Sequence, residues 1–175
     1  MGRACLSLGS NVEPERHIAI AFAALRARFG DILASAAYRT PAVGFDGADF
    51  VNAAAVIDSD LDPQALNDWL HALEDAHGRD RSGPRYGDRT LDIDIVLFDD
   101  LVCSGPGNLR LPRGELRHAF VLRPLAEIAP DIVEPASGRT LAELWARSGE
   151  RDVAMREVTL PAAETGGHTS GAAAV

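Results

Sequence analysis

The sequence of 175 residues contains no lysine, and all 17 of its basic residues are arginine. A chain without lysine has no Walker-A lysine, no Schiff-base lysine and no lysine general base, which excludes P-loop kinases and aldolase-type chemistry. The formal net charge of −9 leaves no basic excess to neutralise a long phosphate backbone. We therefore expect no general nucleic-acid binding, and any site for an anion must be local.

Cysteine and long apolar runs are also scarce. The two cysteines, Cys5 and Cys103, stand alone without a CxxC motif or a histidine-rich neighbour, so neither a zinc site nor a disulfide framework is indicated. No apolar run reaches the about 18 residues of a membrane span, and the N-terminal stretch lacks the apolar segment of a signal peptide. These absences predict a cytoplasmic protein that does not associate with membranes.

Hydrophobic residues make up 46% of the chain, enough for one domain with a sizeable core. We assign residues 1–160 to this single domain. The segment 161–175 is small, polar and aperiodic, which predicts a disordered tail.

The order of the predicted elements indicates an α+β fold. ACLSLGSN, ILASAAYRT, FVNAAAVI and TLDIDIVLF have the composition of strands, and helices are predicted from His17 to Phe29 and from Asp62 to about Gly78. Strand–helix–strand twice in succession is the split βαβ arrangement of ferredoxin-like folds. We thus predict a ferredoxin-like βαββαβ core with C-terminal additions, which begin with a loop and a short helix between Pro112 and Pro130.

The strongest chemical signal lies in RYGDRTLDIDIVLF, residues 85–98. A regular strand here has two faces: one with Asp92, Asp94, Val96 and Phe98, and a core face with Leu91, Ile93, Ile95 and Leu97. The Cα atoms of Asp92 and Asp94 would be about 6.5 Å apart. Both carboxylates can therefore enter one cavity and hold Mg²⁺ together with waters and phosphates. A solvated strand face gives the same alternation.

Four arginines precede this strand within eleven residues: Arg79, Arg81, Arg85 and Arg89. Guanidinium groups bind phosphate oxygens bidentately, so a loop could close over a polyphosphate while the strand acids hold the bridging cations. That is the division of labour in phosphoryl transfer. For any single arginine, a surface salt bridge is an equally good explanation.

Asn52 interrupts the otherwise apolar strand FVNAAAVI. A buried amide needs a hydrogen-bonding partner, and either a ligand with an amide-like edge or a neighbouring backbone group can provide it. Phe50 and Phe120, judged singly, are core residues as readily as ligand-stacking rings.

Several segments, taken in order, resemble the 6-hydroxymethyl-7,8-dihydropterin pyrophosphokinase family: LSLGSN, YRTPAVG, DFVNAAAVI, LEDAHGRDRSGPRYGDRTLDIDIVLF and AFVLRPLAEIAPDI. The resemblance covers roughly residues 4–145. It implies a monomeric, ferredoxin-like enzyme of folate biosynthesis. Its substrates would be ATP and 6-hydroxymethyl-7,8-dihydropterin, and its products would be the pterin diphosphate and AMP. Its cofactor would be two Mg²⁺ ions.

The resemblance also implies roles for individual residues. The metal ligands would be Asp92 and Asp94, which with Arg81, Arg85 and Arg89 form the catalytic set. The pterin site would comprise Thr40, Val43, Gly44, Phe50, Asn52 and Phe120. The ATP site would comprise Glu74, Arg79, Arg81, Arg85, Arg113 and His118.

The chain departs from the family pattern in two places. Tyr86 and Asp88 stand where the family usually has tryptophan and proline. The segment LPRGELRHAF is one residue shorter than its counterpart in the family. Arg113 stands where the family has a histidine, and either Arg117 or His118 stands where it has an arginine. We expect any deficit in nucleotide affinity to originate in this segment.

Two alternatives stay open: a pterin-binding protein with weak or lost turnover, and another two-metal nucleotidyltransferase, which needs a third carboxylate.

Overall fold

The protein is built on an antiparallel sheet with helices packed on both faces. The computed structural model describes residues 1–41, 48–78 and 90–162. The helices are α1 (Pro14–Phe29), α2 (Pro63–Ala76), α3 (Ala119–Ile128) and α4 (Leu141–Ala146), with a 3-10 helix at Gly114–Arg117. The strands are β1 (Gly2–Ser10), β2 (Leu33–Ala34), β3 (Ala37–Thr40), β4 (Phe50–Ser59), β5 (Asp92–Phe98), β6 (Cys103–Gly105), β7 (Leu109–Leu111), β8 (Val133–Glu134), β9 (Arg139–Thr140) and β10 (Arg156–Val158).

The main sheet has the strand order β10-β3-β4-β1-β5, with β2 beside β4, and every described pair in it is antiparallel. The pairs β6–β7 and β8–β9 form two small separate sheets. The four strands predicted from sequence are present, although ILASAAYRT divides into β2 and β3. The β6–β7 pair and β10 were not predicted, because strands of three residues carry too little alternation to be recognised.

Both predicted helices of the core are present, and α1 begins at Pro14, three residues before its predicted start at His17. Pro14 lies in the first turn of α1, and Gly30 follows the helix with φ at 81°, where glycine has no steric penalty. Asp62 caps α2 by accepting a hydrogen bond from Ala65 N at 2.8 Å.

Two hydrophobic layers separate the sheet from its helices. On one face, α1 and α2 contribute Ile18, Phe22, Leu25, Leu66 and Leu70 to a cluster with Leu6, Leu8, Ile93 and Ile95. On the other, α3 and α4 contribute Leu122, Leu125 and Leu141 to a cluster with Cys5, Ala54 and Val56. The alanines of β4 face both layers in alternation, and their small side chains let the helices approach the centre of the sheet.

The predicted division of β5 into two faces is correct for the acids and wrong for its C-terminal end. Leu6 pairs with Ile95 but Cys5 pairs with Leu97, so Val96 is an extra residue in the ladder. This β-bulge resets the alternation. Leu97 therefore packs in the α3 layer with Val96, and Phe98 joins the α1 layer, the reverse of the regular pattern.

The two cysteines differ in their environment, and we expect them to differ in reactivity. Cys103 is exposed, whereas Cys5 is only 1% exposed and burial raises the pKa of its thiol to about 12. In the native protein, Ellman's reagent should modify Cys103 rapidly and Cys5 about a thousandfold or more slowly, because Cys5 reacts only after the sheet opens. A Cys103→Ser variant should show almost no fast phase; a full fast phase there would contradict the buried position of Cys5.

Within the described ranges, no helix has both the length and the apolar character to cross a membrane. Of the predicted tail, only Pro161 and Ala162 are described, and both are exposed. The rest of that prediction lies outside the described residues.

Candidate functional site

Four residues form a row across the sheet on the face that carries α3. Tyr38 on β3 pairs with Asn52 on β4, Asn52 pairs with Gly9 on β1, and Gly9 pairs with Asp92 on β5. Residues directly opposite one another in neighbouring strands point to the same face. Because neighbouring strands lie about 4.8 Å apart, the Cα atoms of Asn52 and Asp92 are separated by about 10 Å, with Gly9 between them.

Gly9 leaves a gap in the middle of this row. A Cβ atom at Gly9 would lie 3.0 Å from Asn52 Oδ1 and 3.9 Å from Phe50 Cδ1. The Asn52 amide and the Phe50 ring therefore both lie next to the space above Gly9. An amide and a half-buried aromatic ring beside the half-buried backbone of Gly9 can receive a flat, hydrogen-bonding ring.

The side chain of Asn52 is held in a fixed orientation. It is 6% exposed, and its Nδ2 donates to Thr40 Oγ1 at 2.8 Å. The sequence left open whether a ligand or a neighbouring backbone group would bond to this amide. In the structure, a protein group provides one partner, and it is a side-chain hydroxyl and not a backbone group. That bond leaves the Oδ1 edge of the amide beside Gly9, where a ligand with donor groups can reach it.

The two acids occupy the N-terminal half of β5, which is an edge strand. Asp92 pairs with Gly9 and Asp94 pairs with Ser7, and both are half-buried while Ile93 and Ile95 are in the core. Asp92 and Asp94 therefore share the face that carries Asn52. The gap above Gly9 adjoins the acid pair directly.

Two buried charged residues cover the free edge of β5. Glu74, in the last turn of α2, is 1% exposed, and its Oε1 accepts a hydrogen bond from Ile93 N at 3.5 Å. Arg113 is 7% exposed and donates from its backbone N to Val96 O at 3.0 Å and from Nε to Ile95 O at 3.2 Å. The edge strand of a sheet has unpaired donors and acceptors, and these two residues satisfy part of them.

His118 and Phe120 lie together at the start of α3. Their rings are stacked, with centroids 5.2 Å apart and planes 9° apart, and His118 Nδ1 lies 3.3 Å from Glu150 Oε2. His118 therefore covers one face of the Phe120 ring. The ATP role expected for His118 stays a prediction, and its described contacts support Phe120.

The remaining expected site residues lie outside the described residues. These are Val43 and Gly44 of the pterin site and the four arginines Arg79, Arg81, Arg85 and Arg89. Of the described residues, Gly9 and Ser7 belong to the site but were not in the predicted set. Their place in the site follows from strand pairing, and the sequence does not tell which strands pair with β1.

The acid pair suits Mg²⁺, which takes one or two carboxylates and fills its other positions with waters and substrate phosphates. In the part of the chain that the structure describes, no group of three or more His, Cys, Asp or Glu side chains is arranged to hold a metal ion. Mg²⁺ keeps waters and substrate phosphates as ligands beside one or two carboxylates, so the acid pair fits a metal that binds together with a phosphate ligand. A nucleotidyltransferase would need a third carboxylate.

Comparison with known proteins identifies the family of this chain. The family model for 7,8-dihydro-6-hydroxymethylpterin-pyrophosphokinase matches residues 5–130. The chain is 40% identical over 152 residues to the 2-amino-4-hydroxy-6-hydroxymethyldihydropteridine pyrophosphokinase of Methylorubrum extorquens, with 84% of this chain and 94% of that protein covered. It is 40% identical over 150 residues to the protein of the same name from Pseudomonas aeruginosa, with 82% and 90% covered.

Solved structures share the fold. The wild-type Plasmodium falciparum HPPK-DHPS structure matches with a TM-score of 0.63 at 14% identity, over 83% of this chain and 44% of that one. A triple mutant of the same protein with STZ-DHP gives a TM-score of 0.66 at 13% identity, over 83% and 42%. The chain thus spans less than half of these solved chains, and at this identity the match concerns the fold alone.

The sheet, the acid pair and the sequence matches together define a transferase of the pyrophosphokinase class. The chain belongs to the 7,8-dihydro-6-hydroxymethylpterin-pyrophosphokinase family. The family predicted from sequence is therefore confirmed, as is the prediction of an ATP-dependent pyrophosphokinase of folate biosynthesis. Neither the binding-protein alternative nor the nucleotidyltransferase alternative receives support from the comparisons.

Proposed function

We propose that this protein transfers the β,γ-diphosphoryl group of ATP to the hydroxyl of 6-hydroxymethyl-7,8-dihydropterin, which gives the pterin diphosphate and AMP. The observation that carries the proposal is the register that sets Asn52, Gly9 and Asp92 side by side. An acceptor bound at the amide and metal-bound phosphates held at the acids would meet across a single strand.

Recognition of the pterin would depend on the gap above Gly9. Pterin has an amide-like edge with neighbouring donors, which matches the Oδ1 edge of Asn52 left by its bond to Thr40. The Phe50 ring, beside the same gap, would stack on one face of the pterin, and Phe120, backed by His118, would stack on the other. Backbone at Val43 and Gly44 would complete the pocket.

Catalysis would depend on positioning and on charge stabilisation. Asp92 and Asp94 would hold Mg²⁺, which would supply positive charge to stabilise the transferring phosphates. The hydroxymethyl oxygen would attack the β-phosphorus in line, with AMP as the leaving group. Arg81, Arg85 and Arg89 would bind phosphate oxygens, with Arg79 and Glu74 on the nucleotide side.

Enzymes of this family use ATP, generally with Mg²⁺, and we propose two ions per active site. The core would be ferredoxin-like, as the order β3-β4-β1-β5 of its four main strands supports, with the segments after β5 as C-terminal additions. We further propose one functional domain over residues 1–160, a monomer in solution and a cytoplasmic location.

The direct test is AMP formation from ATP and 6-hydroxymethyl-7,8-dihydropterin in the presence of Mg²⁺. AMP and pterin diphosphate should form in equal amounts, and no AMP should form with 6-methyl-7,8-dihydropterin, which lacks the acceptor hydroxyl. Calorimetry on the same sample separates the alternatives. Pterin binding without AMP formation would indicate a binding protein, and a lack of pterin binding would indicate a different transferase.

A further inference from the structure

Arg113 has an unusual setting for a residue expected to contact a mobile nucleotide. The residue is 7% exposed, and its guanidinium donates from Nε to Ile95 O at 3.2 Å and from one terminal nitrogen to Asn108 O at 2.9 Å. That same terminal nitrogen lies 3.6 Å from Asp94 Oδ1. Backbone carbonyls from two sides thus fix the plane of the guanidinium, with one edge turned to the Asp94 carboxylate.

The bulge in β5 explains why an arginine fits here. The extra residue Val96 displaces the ladder, and the carbonyls of Ile95 and Val96 both accept hydrogen bonds from Arg113. The only other carboxylate that forms an ion pair with Arg113 within the described ranges is Glu115, at 4.0 Å and largely exposed. Asp94 is therefore the close counter-charge of this buried cation.

We propose that Arg113 is a positioning residue that serves as the built-in counter-ion of Asp94. Arg113 holds the Asp94 carboxylate in one orientation, and its positive charge compensates the repulsion within the acid pair while no metal is bound. The same charge repels a divalent cation that arrives alone. The negative charge of a triphosphate offsets that repulsion, so Mg²⁺ is taken up together with nucleotide; this last step rests on the proposed function.

The first test is a double-mutant cycle on the metal-free protein, with Arg113→Met, Asp94→Asn and the double variant compared by urea unfolding. The two changes should be coupled by about tenfold in the unfolding equilibrium constant, which is about 1.4 kcal/mol. Asp92→Asn is the matched control on the same strand face, and its coupling to Arg113→Met should be clearly smaller. Additive effects of Arg113→Met and Asp94→Asn would overturn the proposal.

The second test measures Mn²⁺ binding without nucleotide, by electron paramagnetic resonance. Removal of a fixed positive charge beside the acids should strengthen Mn²⁺ binding about tenfold in Arg113→Met, whereas Arg113→Lys, which keeps the charge, should stay close to the unmodified chain. A purely structural role of Arg113 predicts weaker or unchanged Mn²⁺ binding in Arg113→Met. That result would refute the counter-ion role.

Neither test needs pterin or turnover, so failure of the counter-ion role can be distinguished from failure of the proposed function. If AMP formation is normal but Arg113 and Asp94 are not coupled, only the counter-ion role is wrong. If Arg113→Met does not fold, Arg113→Gln with and without Asp94→Asn provides the cycle, because glutamine removes the charge but keeps an amide donor for the neighbouring carbonyls. Asp94→Asn should then cost more stability in the unmodified chain than in Arg113→Gln, and equal costs in the two backgrounds would overturn the proposal.

Discussion

Replacement of Asp94 by alanine is expected to lower the rate of AMP formation by about a thousandfold or more. The side chain is half-buried on β5, opposite Ser7, and shares its face with Asp92. In the proposed function it is one of the carboxylates that hold Mg²⁺, and a metal ion contributes several kcal/mol of charge stabilisation to phosphoryl transfer. About 4 kcal/mol corresponds to this loss of rate.

The control for this variant is Asp100→Ala, in the exposed turn that follows β5. Asp100→Ala removes one negative charge, as Asp94→Ala does, and is close to Asp94 in sequence, but it lies beyond the strand. Its activity should stay within about twofold of the unmodified protein. Circular dichroism and urea unfolding must show that the Asp94 variant is folded at the assay temperature. Full activity of Asp94→Ala, or of Asp92→Ala, at saturating Mg²⁺ would contradict the assignment of the acid pair.

Replacement of Asn52 by leucine should weaken pterin binding by about a hundredfold while leaving ATP binding unchanged. Leucine matches asparagine in shape but has no hydrogen-bonding atoms, so donors of the pterin edge would be buried without partners. The variant also leaves Thr40 Oγ1 without the amide donor that it now has at 2.8 Å. We expect a loss of about 1–2 kcal/mol in the free energy of unfolding from that group.

Thr40→Val is the matched variant, since it removes the hydroxyl that orients Asn52 but keeps the amide. Pterin affinity should fall by about tenfold or less, because one hydrogen bond contributes about 1 kcal/mol. Isothermal titration with the pterin and with an ATP analogue measures both affinities on each variant. Equal losses for pterin and nucleotide in Asn52→Leu would indicate a general disturbance of the fold and not a pterin pocket.

Signals within a few residues predicted a large part of this molecule. The helix ends follow from Pro14, Gly30 and Asp62, whose backbone preferences act locally. The shared face of Asp92 and Asp94 follows from the two-residue period of a strand. The family follows from the order of its motifs, and the matched family model confirms it.

The bulge at Val96 shows where local reasoning fails. In TLDIDIVLF the alternation of polar and apolar residues ends at Ile95, and the apolar run that follows fits either face, so it does not reveal the exchanged faces of Leu97 and Phe98. The irregularity arises from how β5 pairs with β1 between Cys5 and Leu6. Burial of Arg113 depends in part on the same bulge, because two of its partners are carbonyls of the bulge and the third is the carbonyl of Asn108, five residues earlier in the chain.

By itself, the sequence determined that this chain has no lysine and has two acids on one strand face, since composition and local periodicity are properties of the chain alone. The pyrophosphokinase family followed from the resemblance of its motifs. Only the tertiary structure decided that Gly9 lies between Asn52 and Asp92, and that Arg113 is a buried counter-charge of Asp94. The physical reason is that side-chain periodicity is fixed within a strand, whereas register and edge contacts depend on which distant strands pair.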